Sequence, residues 1–383
     1  MTEDKYLSEK IPSHCHSAQE IRTVNIIMGY RMGGIFSVYK ILAPELSKYF
    51  QINTLTLDNH LRQDSIPGIN ETDLRATSPL KGKKLLRFII NFISVALKHR
   101  LSTFIVNNQS IAIIVYLVSK MLGYTYVVHQ HSTIKESIET KDGLSRGIYL
   151  FMLRCAFRGA KHVICNSKHI ELELLDILNL RNTVTIYNPI DVRSIIEGAQ
   201  KPLDSNFDPT CFNFVSVGRL SYEKGYDVLI KAVHNLSLET NRKFKVYIIG
   251  SGDLYHDLND LISLLGVGDR VCLTGFLYEP YQFINACDCY LNTSRWEGFG
   301  LTLTYAMLLK KPIIASKTGA SMEILSNKNY LFEIDNSEEL CELMINIMNN
   351  LKQDDALIHQ NYLKASQFDI NYIGKEFARV LAC

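Results

Sequence analysis

Short runs rich in β-branched and aromatic residues alternate with longer apolar patterns of helical period along most of the chain. Strands that alternate with helices favour a parallel sheet covered on both faces. The alternation stops and then starts again, so we predict an α/β fold with two doubly wound, Rossmann-like domains. The first series of predicted strands comprises Val24–Met28, Ile52–Leu57, Thr103–Val106, Tyr124–Val128, His162–Cys165 and Val184–Tyr187, and the second comprises Phe212–Val217, Phe244–Ile249, Val271–Thr274, Cys289–Leu291 and Pro312–Ala315.

The segment between the two series, residues 198–209, contains a glycine, two prolines and mostly polar residues. This composition is typical of a linker, and a length of 383 residues suits two domains better than one core. We predict a last helix from Asp369 to Leu381. The predicted division is a polar leader at 1–21, an N-terminal domain at 22–195, a linker at 196–210 and a C-terminal domain at 211–368.

The composition is that of an ordinary soluble globular protein, with 47% hydrophobic and 21% charged residues. A formal net charge of +2 argues against a dedicated nucleic-acid binder. The nine cysteines show no metal-binding spacing and are typical of small apolar residues in a reducing compartment. Because a signal-peptide core and an apolar run of about 18 residues are both missing from the sequence, we expect a cytoplasmic protein.

A carboxylate, two glycines and a run of backbone N–H groups stand before an apolar helical pattern in the segment Arg295–Met307. The N-terminus of a helix suits a phosphate, and glycine lets the backbone approach a ligand closely. Glu297 repels a phosphate, so its natural partner is a hydroxyl-rich group beside it. An anion-binding loop next to a carboxylate that accepts from hydroxyls is suited to bind a nucleotide sugar. A glycine-capped strand-to-helix turn is the alternative explanation of the same residues.

Two cations five residues apart, Arg219 and Lys224, follow the predicted strand Phe212–Val217. Arginine offers a planar fork and lysine a point charge, so the pair can reach two phosphates of one diphosphate. The alternative is a solvated loop with ordinary surface charges. With Gly33-Gly34 and the segment His129–His131, these loops all follow strands, where doubly wound sheets bind ligands.

Taken in order, these segments resemble the retaining GT-B-fold glycosyltransferases of the glycogen-synthase-like family, glycosyl transferases group 1, of the bacterial surface-polysaccharide type. The resemblance extends over most of the chain and implies two Rossmann-like domains that face each other across a cleft. It also implies that the N-terminal domain binds the acceptor and that a C-terminal helix at 369–383 packs back on it. Further matching segments are Val127–Ser132, Val163–Ser167, Tyr187–Asp191, Tyr247–Gly252, Gly275-Phe276 and Gly319–Glu323.

The resemblance implies transfer of a hexose-type sugar from a nucleotide-diphosphate sugar, with a UDP-sugar as the expected donor, to a glycan or lipid-linked acceptor in polysaccharide, lipopolysaccharide or capsule assembly. We expect retention of configuration, no cofactor and no metal. His129 and His131 both remain candidates for the sugar contact, and we prefer His131 because Ser132 and Thr133 end the strand. The candidate catalytic residues are Glu297, His131, Arg219 and Lys224, and the candidate donor-binding residues are Gly33, Gly34, Arg219, Lys224, Gly250, Phe276, Glu297, Gly298, Phe299, Gly300, Leu301 and Tyr305.

Tyr305 is a departure from the family pattern, because the family commonly has a second glutamate at this position, where it contacts the nucleotide ribose. A tyrosine can still make one hydrogen bond, but it is larger and neutral. The substitution bears on donor identity and affinity. A sugar-nucleotide 2-epimerase, a phosphorylase and a non-catalytic sugar-nucleotide-binding partner subunit are the alternative functions.

Residues 83–98 separate at helical spacing into a cationic polar face and an apolar arc wider than half the circle. Such a helix can lie at an anionic bilayer surface. The alternative is a well-buried helix with a basic solvent face. The candidate membrane or acceptor residues are Lys83, Lys84, Arg87 and Lys98.

Overall fold

The computed structural model describes residues 22–28, 33–57, 66–74, 82–139, 142–203, 207–326, 328–350 and 355–383. The predicted leader at 1–21, residues 29–32 of the first glycine-rich loop and residues 204–206 of the predicted linker lie outside the described residues.

Within the described ranges, seven strands form a first sheet in the order β3-β2-β1-β4-β5-β6-β7. Every neighbouring pair in this sheet is parallel. The chain order reverses at β1, which lies between β2 and β4. The strands are β1 Thr23–Met28, β2 Gln51–Thr56, β3 Asn70–Asp73, β4 Thr103–Val106, β5 Thr125–Gln130, β6 Val163–Cys165 and β7 Thr183–Thr185.

A second parallel sheet contains six strands of the described chain in the order β10-β9-β8-β11-β12-β13. Its order reverses at β8. The strands are β8 Phe212–Val217, β9 Phe244–Ile249, β10 Val271–Gly275, β11 Cys289–Asn292, β12 Ile313–Ser316 and β13 Leu331–Phe332. Two doubly wound parallel sheets confirm the predicted fold class.

Helices cover both faces of the first sheet because each buries one apolar side against the strands. Ser167 caps the helix Lys168–Leu178 by accepting from the N–H of Ile170, and Gly123 ends the helix Gln109–Leu122 in the left-handed conformation. One face carries Lys83–Lys98, Gln109–Leu122, Gly143–Gly159 and Lys168–Leu178, and the other carries Gly34–Leu46 and Ile370–Ala382; the short helix Lys135–Glu139 follows β5.

The second sheet is also covered on both faces. A 3₁₀ turn at Tyr222–Lys224 follows β8. One face carries the helices Tyr226–Glu239, Tyr255–Leu264 and Ser337–Asn349, and the other carries Val192–Ala199, Tyr281–Ala286, Leu301–Leu308, Gly319–Ile324 and Asp355–Ser366.

The last helix, Ile370–Ala382, lies on the first sheet although it follows the second in sequence. Gly374 sits against the side chain of Glu45 on the helix Gly34–Leu46, where an added Cβ would overlap that side chain. The helix Val192–Ala199 crosses the predicted start of the linker and packs on the second domain, with Gly198 against Tyr281.

Candidate active site

Four loops at the carboxyl ends of strands meet between the two sheets. An added Cβ at Gly33, after β1, would lie 3.7 Å from Nη2 of Arg219, which follows β8. An added Cβ at Gly298, after β11, would overlap the carbonyl oxygen of His131, which follows β5. Each of these contacts joins one domain to the other, so the four loops form one cleft.

Lys224 and Glu297 form an ion pair in this cleft, with Nζ 2.6 Å from Oε2. Both side chains are mostly buried, with exposed fractions of 19% and 17%. Ser294 Oγ also donates to Oε2 of Glu297 at 2.9 Å. The hydroxyl of Thr293 donates to the carbonyl oxygen of Lys224 at 2.8 Å. Side-chain and backbone bonds therefore hold the ammonium and the carboxylate in fixed positions.

Gly33 adopts a φ of +90°, which L side chains rarely adopt, and directly precedes the helix Gly34–Leu46. An added Cβ at Gly34 would have no described residue within 4 Å.

The segment Gly298–Leu301 leads into the helix Leu301–Leu308 through Gly300, whose φ is +83°. No side chain caps this fully described helix N-terminus, so its first N–H groups are available to an anion. The ring of Phe299 is buried and packs against Tyr187 and Phe368 at centroid distances of 5.8 Å and 5.1 Å. Phe299 therefore anchors the loop through its side chain.

His131 rather than His129 is accessible from the cleft. His129 is fully buried, and its Nδ1 lies 2.7 Å from the hydroxyl of Tyr39. His131 is partly exposed, and its ring centroid lies 3.8 Å from that of His129. Burial lowers the pKa of His131 to about 3 and holds the pKa of His129 well below its ordinary value. Both imidazoles are therefore neutral at physiological pH.

Asn107, which the sequence did not single out, fixes the tautomer of His131. Its Nδ2 donates to the carbonyl oxygen of Ile27 at 3.0 Å, so its Oδ1 faces His131. That oxygen lies 3.1 Å from Nε2 of His131, which must carry the proton. Asn166 Nδ2 donates to the carbonyl oxygen of His131 at 3.0 Å and holds its backbone.

Gly250 and Phe276 follow β9 and β10. An added Cβ at Gly250 would overlap the carbonyl oxygen of Gly218, so this glycine allows close contact between two loops. Phe276 is 51% exposed, and its ring is free to stack on a planar group.

Tyr305 lies on the helix Leu301–Leu308 and packs edge-on against Tyr281, with ring centroids 5.2 Å apart. Burial raises the pKa of Tyr305 well above its ordinary value, so this phenol is neutral. The position of the family's second glutamate is thus occupied by a neutral tyrosine pair.

Arg295 stabilises the loops rather than facing the cleft. It is bound by Asp227 at 2.8 Å and Asp335 at 2.7 Å, and its guanidinium lies 4.0 Å from the ring centroid of Tyr222. Its side chain is only 8% exposed. These contacts join the loop after β8 to the loop after β11.

A further contact between the domains involves Glu323, on the helix Gly319–Ile324. Its two carboxylate oxygens accept from the backbone N–H groups of Lys168 and His169, each at 2.8 Å. These two N–H groups begin the helix Lys168–Leu178 of the first domain. Lys40 of the first domain also contacts the second domain, with its ammonium 4.1 Å from the ring centroid of Tyr278.

The four candidate membrane cations lie outside the cleft, on the helix Lys83–Lys98. All four are exposed, and Phe88, Phe92 and Ala96 face the core. Leu86 and Ile90 are 59% and 57% exposed, so the wide apolar arc is only partly covered by the sheet. Across the described residues, no helix has the length and apolar character needed to cross a bilayer.

Two family models match the chain. Residues 201–364 match the family described as "Glycosyl transferases group 1". Residues 33–194 match the family described as "Glycosyltransferase Family 4". The first match spans the six strands of the second sheet, and the second spans β2 to β7 of the first sheet, with β1 outside it.

Three curated relatives are similar in sequence. The N-acetylgalactosamine-N,N'-diacetylbacillosaminyl-diphospho-undecaprenol 4-alpha-N-acetylgalactosaminyltransferase of Campylobacter jejuni is 23% identical over 360 residues, which are 91% of this chain and 96% of the relative. An uncharacterized glycosyltransferase of Methanocaldococcus jannaschii is 28% identical over 51% of this chain and 50% of the relative. The O-antigen biosynthesis glycosyltransferase WclY of Escherichia coli is 28% identical over 49% of this chain and 53% of the relative. In the last two cases the chain spans about half the length of the relative.

The crystal structure of Anabaena HepE in complex with UDP and glucose superposes with a TM-score of 0.76 at 21% sequence identity, covering 94% of this chain and 99% of HepE. This likeness concerns the fold.

Proposed function

The chain belongs to the GT-B glycosyltransferases, with a C-terminal domain of glycosyl transferases group 1 and an N-terminal domain of glycosyltransferase family 4, and we propose that it moves a hexose-type sugar from a nucleotide-diphosphate sugar to a glycan or lipid-linked acceptor. The reaction serves the assembly of a surface polysaccharide, lipopolysaccharide or capsule. The names of the Campylobacter jejuni and Escherichia coli relatives, which refer to a diphospho-undecaprenol substrate and to O-antigen biosynthesis, support this acceptor class.

The Lys224–Glu297 ion pair is the observation that carries the proposal. Lys224 has donors beyond the one used by Glu297, and the guanidinium of Arg219 lies beside Gly33 of the first domain. The two cations hold the donor diphosphate and stabilise the charge that develops on the leaving oxygen. No step in this scheme needs a metal ion, so the chemistry is metal-independent.

Glu297 and His131 orient the transferred sugar. Oε2 of Glu297 takes the bonds from Lys224 and Ser294, while Oε1 makes no hydrogen bond to any described residue and accepts from a sugar hydroxyl. The neutral His131 contacts the sugar from the first domain as a hydrogen-bonding group, not as a proton-transfer group. The N–H groups of Phe299, Gly300 and Leu301 face the phosphates or the sugar.

The transfer retains configuration, with attack of the acceptor from the face that the diphosphate leaves. The engagement of Glu297 by Lys224 supports this path, because a carboxylate neutralised by an ion pair is a poor covalent nucleophile. A UDP-sugar is the donor to test first, since the similar HepE structure holds UDP and glucose. Phe276 stacks on the base, and Tyr305 makes one hydrogen bond near the ribose.

The helix Lys83–Lys98 brings the enzyme to the cytoplasmic face of the membrane, where a lipid-linked acceptor resides. Its exposed cations suit anionic headgroups, and its exposed Leu86 and Ile90 suit the interface. The protein is a peripheral membrane enzyme in this proposal.

Nucleotide release tests the proposal against the 2-epimerase and the non-catalytic binding subunit. UDP-, GDP- and ADP-sugars are incubated with the enzyme, with and without membrane extract, and both nucleotide and labelled lipid or glycan are measured. A transferase releases nucleotide and labels the acceptor only when extract is present, whereas a 2-epimerase acts on the donor without extract. A binding subunit releases no nucleotide in either condition.

Addition of EDTA tests metal independence. Activity that disappears in EDTA and returns with magnesium contradicts it.

A further inference from the structure

Three adjacent helices of the first domain carry positive charge and no negative charge. The helices Lys83–Lys98, Gln109–Leu122 and Gly143–Gly159 contain eight lysines and arginines and no aspartate or glutamate. The whole chain is nearly balanced, with 41 basic and 39 acidic residues. The basic residues are Lys83, Lys84, Arg87, Lys98, Lys120, Arg146, Arg154 and Arg158.

The outer sides of the same three helices expose large apolar residues. On the helix Gly143–Gly159, Leu144, Ile148 and Phe151 are 82%, 56% and 66% exposed. Their spacing of four and three residues places them in one stripe. The middle helix adds Met121 and Leu117, at 75% and 48%, and the helix Lys83–Lys98 adds Leu86, Ile90 and Leu97.

These outer residues are not required by the core of the domain. Each helix already buries another set of side chains against the first sheet, such as Phe92, Val115 and Phe157. The middle helix contacts both of its neighbours, so the three outer sides are continuous. We call this surface, formed by the outward residues of the three helices, the basic apolar face.

We propose that the basic apolar face as a whole, and not the helix Lys83–Lys98 alone, is a docking surface for an anionic lipid bilayer. The apolar side chains enter the interface while the long basic side chains reach the headgroups. The proposal rests on the proposed membrane association and deepens it, because it adds the helix Gly143–Gly159 as a second insertion site. Charge complementarity commits the surface to an anionic partner, and a continuous surface that combines exposed apolar side chains with long basic ones has the composition of an interfacial membrane-binding surface.

A single-tryptophan reporter tests insertion at Phe151 directly. Trp296 is the only tryptophan of the chain, so Trp296→Phe removes the background signal. In that background, Phe151→Trp reports on the proposed face, and Leu238→Trp is the matched control, since Leu238 is 74% exposed on the second domain. With vesicles of phosphatidylglycerol and brominated phosphatidylcholine, we expect quenching at position 151, which weakens as salt is raised, and no quenching at position 238.

Two sets of glutamine substitutions separate this inference from the proposed function. One set replaces Leu144, Ile148 and Phe151, and the other replaces Lys83, Lys84, Arg87 and Lys98. We expect each set to lower partitioning onto anionic vesicles by about tenfold or more, with an unchanged circular dichroism spectrum because all these side chains are exposed.

The inference is wrong, while the proposed membrane association stands, under two joint results. The variant with glutamine at positions 144, 148 and 151 binds anionic vesicles like the wild type, and the fluorescence of the tryptophan at position 151 is not quenched. If neither set changes binding, or if zwitterionic vesicles bind equally well, the inference is wrong as well. Transferase activity on a water-soluble acceptor is measured in parallel, and its retention in both sets keeps the proposed chemistry separate from either outcome.

Discussion

Lys224 and Glu297 form a largely buried ion pair between the loops that follow β8 and β11, the two central strands of the second sheet. The pair fixes the position of the Lys224 ammonium in the cleft before a phosphate binds. A ligand phosphate therefore meets a cation whose position has already been fixed.

Replacing either cation should lower turnover strongly. We expect Lys224→Ala and Arg219→Ala each to reduce kcat/KM by about 100-fold or more, because each removes a charge that stabilises the leaving diphosphate. Lys243→Ala is the control, since Lys243 is an exposed lysine at the other end of the sheet, just before β9. Near-normal turnover in both variants, measured as nucleotide release, would refute the assignment.

Asn107 should act through His131. Asn107→Leu removes the acceptor that fixes the Nε2–H tautomer, and we expect about a tenfold lower kcat and a mixed tautomer in ¹⁵N-histidine NMR spectra. Asn107→Asp places a carboxylate beside the ring, which raises the pKa of His131 and should give the rate a new dependence on pH. An unchanged tautomer in Asn107→Leu would exclude this role, whatever the rate.

The two histidines of this segment should make folding sensitive to acid. His131 has a pKa of about 3 in the folded chain against an ordinary value of 6.5, so the unfolded chain binds this proton more readily. Its contribution to stability is complete above pH 6.5 and is lost as the pH falls toward 3.

Urea unfolding measures this loss. Between pH 7 and pH 5 we expect His131 to account for up to roughly 2 kcal/mol of the decrease in the free energy of unfolding. The variant His131→Asn should show a correspondingly smaller decrease. An equal pH dependence in wild type and variant would mean that His131 titrates normally in the folded chain.

Tyr305→Glu should preserve or tighten nucleotide binding. A carboxylate at this position can accept from the hydroxyl of Tyr281 and from a ribose hydroxyl, whereas the tyrosine is neutral and packs edge-on against Tyr281. Calorimetry with UDP, GDP and ADP compares the wild type, Tyr305→Glu and the matched Tyr305→Phe. A large loss of affinity in Tyr305→Glu alone would mean that the site rejects a charge beside Tyr281.

Periodicity in the sequence was sufficient to predict where the buried strands lie, because each predicted strand overlaps an observed one. It did not find β3, whose four residues Asn70–Asp73 are polar and pair only with β2 at the sheet edge, or β13, which has only two residues. Hydrophobic pattern reports burial, and these two strands depend on backbone pairing to a neighbour.

The candidate site divides in a similar way. Chain order and glycine content indicated the four loops that meet in the cleft. Asn107 was missed, and no role was predicted for Asn166 and Glu323, although both lie in matching segments. Their contacts cross 24, 35 and 155 or 154 residues of sequence, so the pattern around each residue does not indicate its partner. Of the two histidines that the sequence alone left open, the fold buries His129 fully and leaves His131 partly exposed, a difference that periodicity could not indicate.

The hydrogen bonds that Glu323 accepts across the cleft allow closure of the cleft to be measured. The first two N–H groups of the helix Lys168–Leu178 find their acceptors only on the opposite domain, while the third, on Ile170, is capped by Ser167 within its own domain. When the domains separate, Lys168 and His169 lose their acceptors to solvent and Ile170 does not. Amide hydrogen exchange at these three consecutive positions therefore distinguishes cleft opening from fraying of the helix, with no label added to the protein.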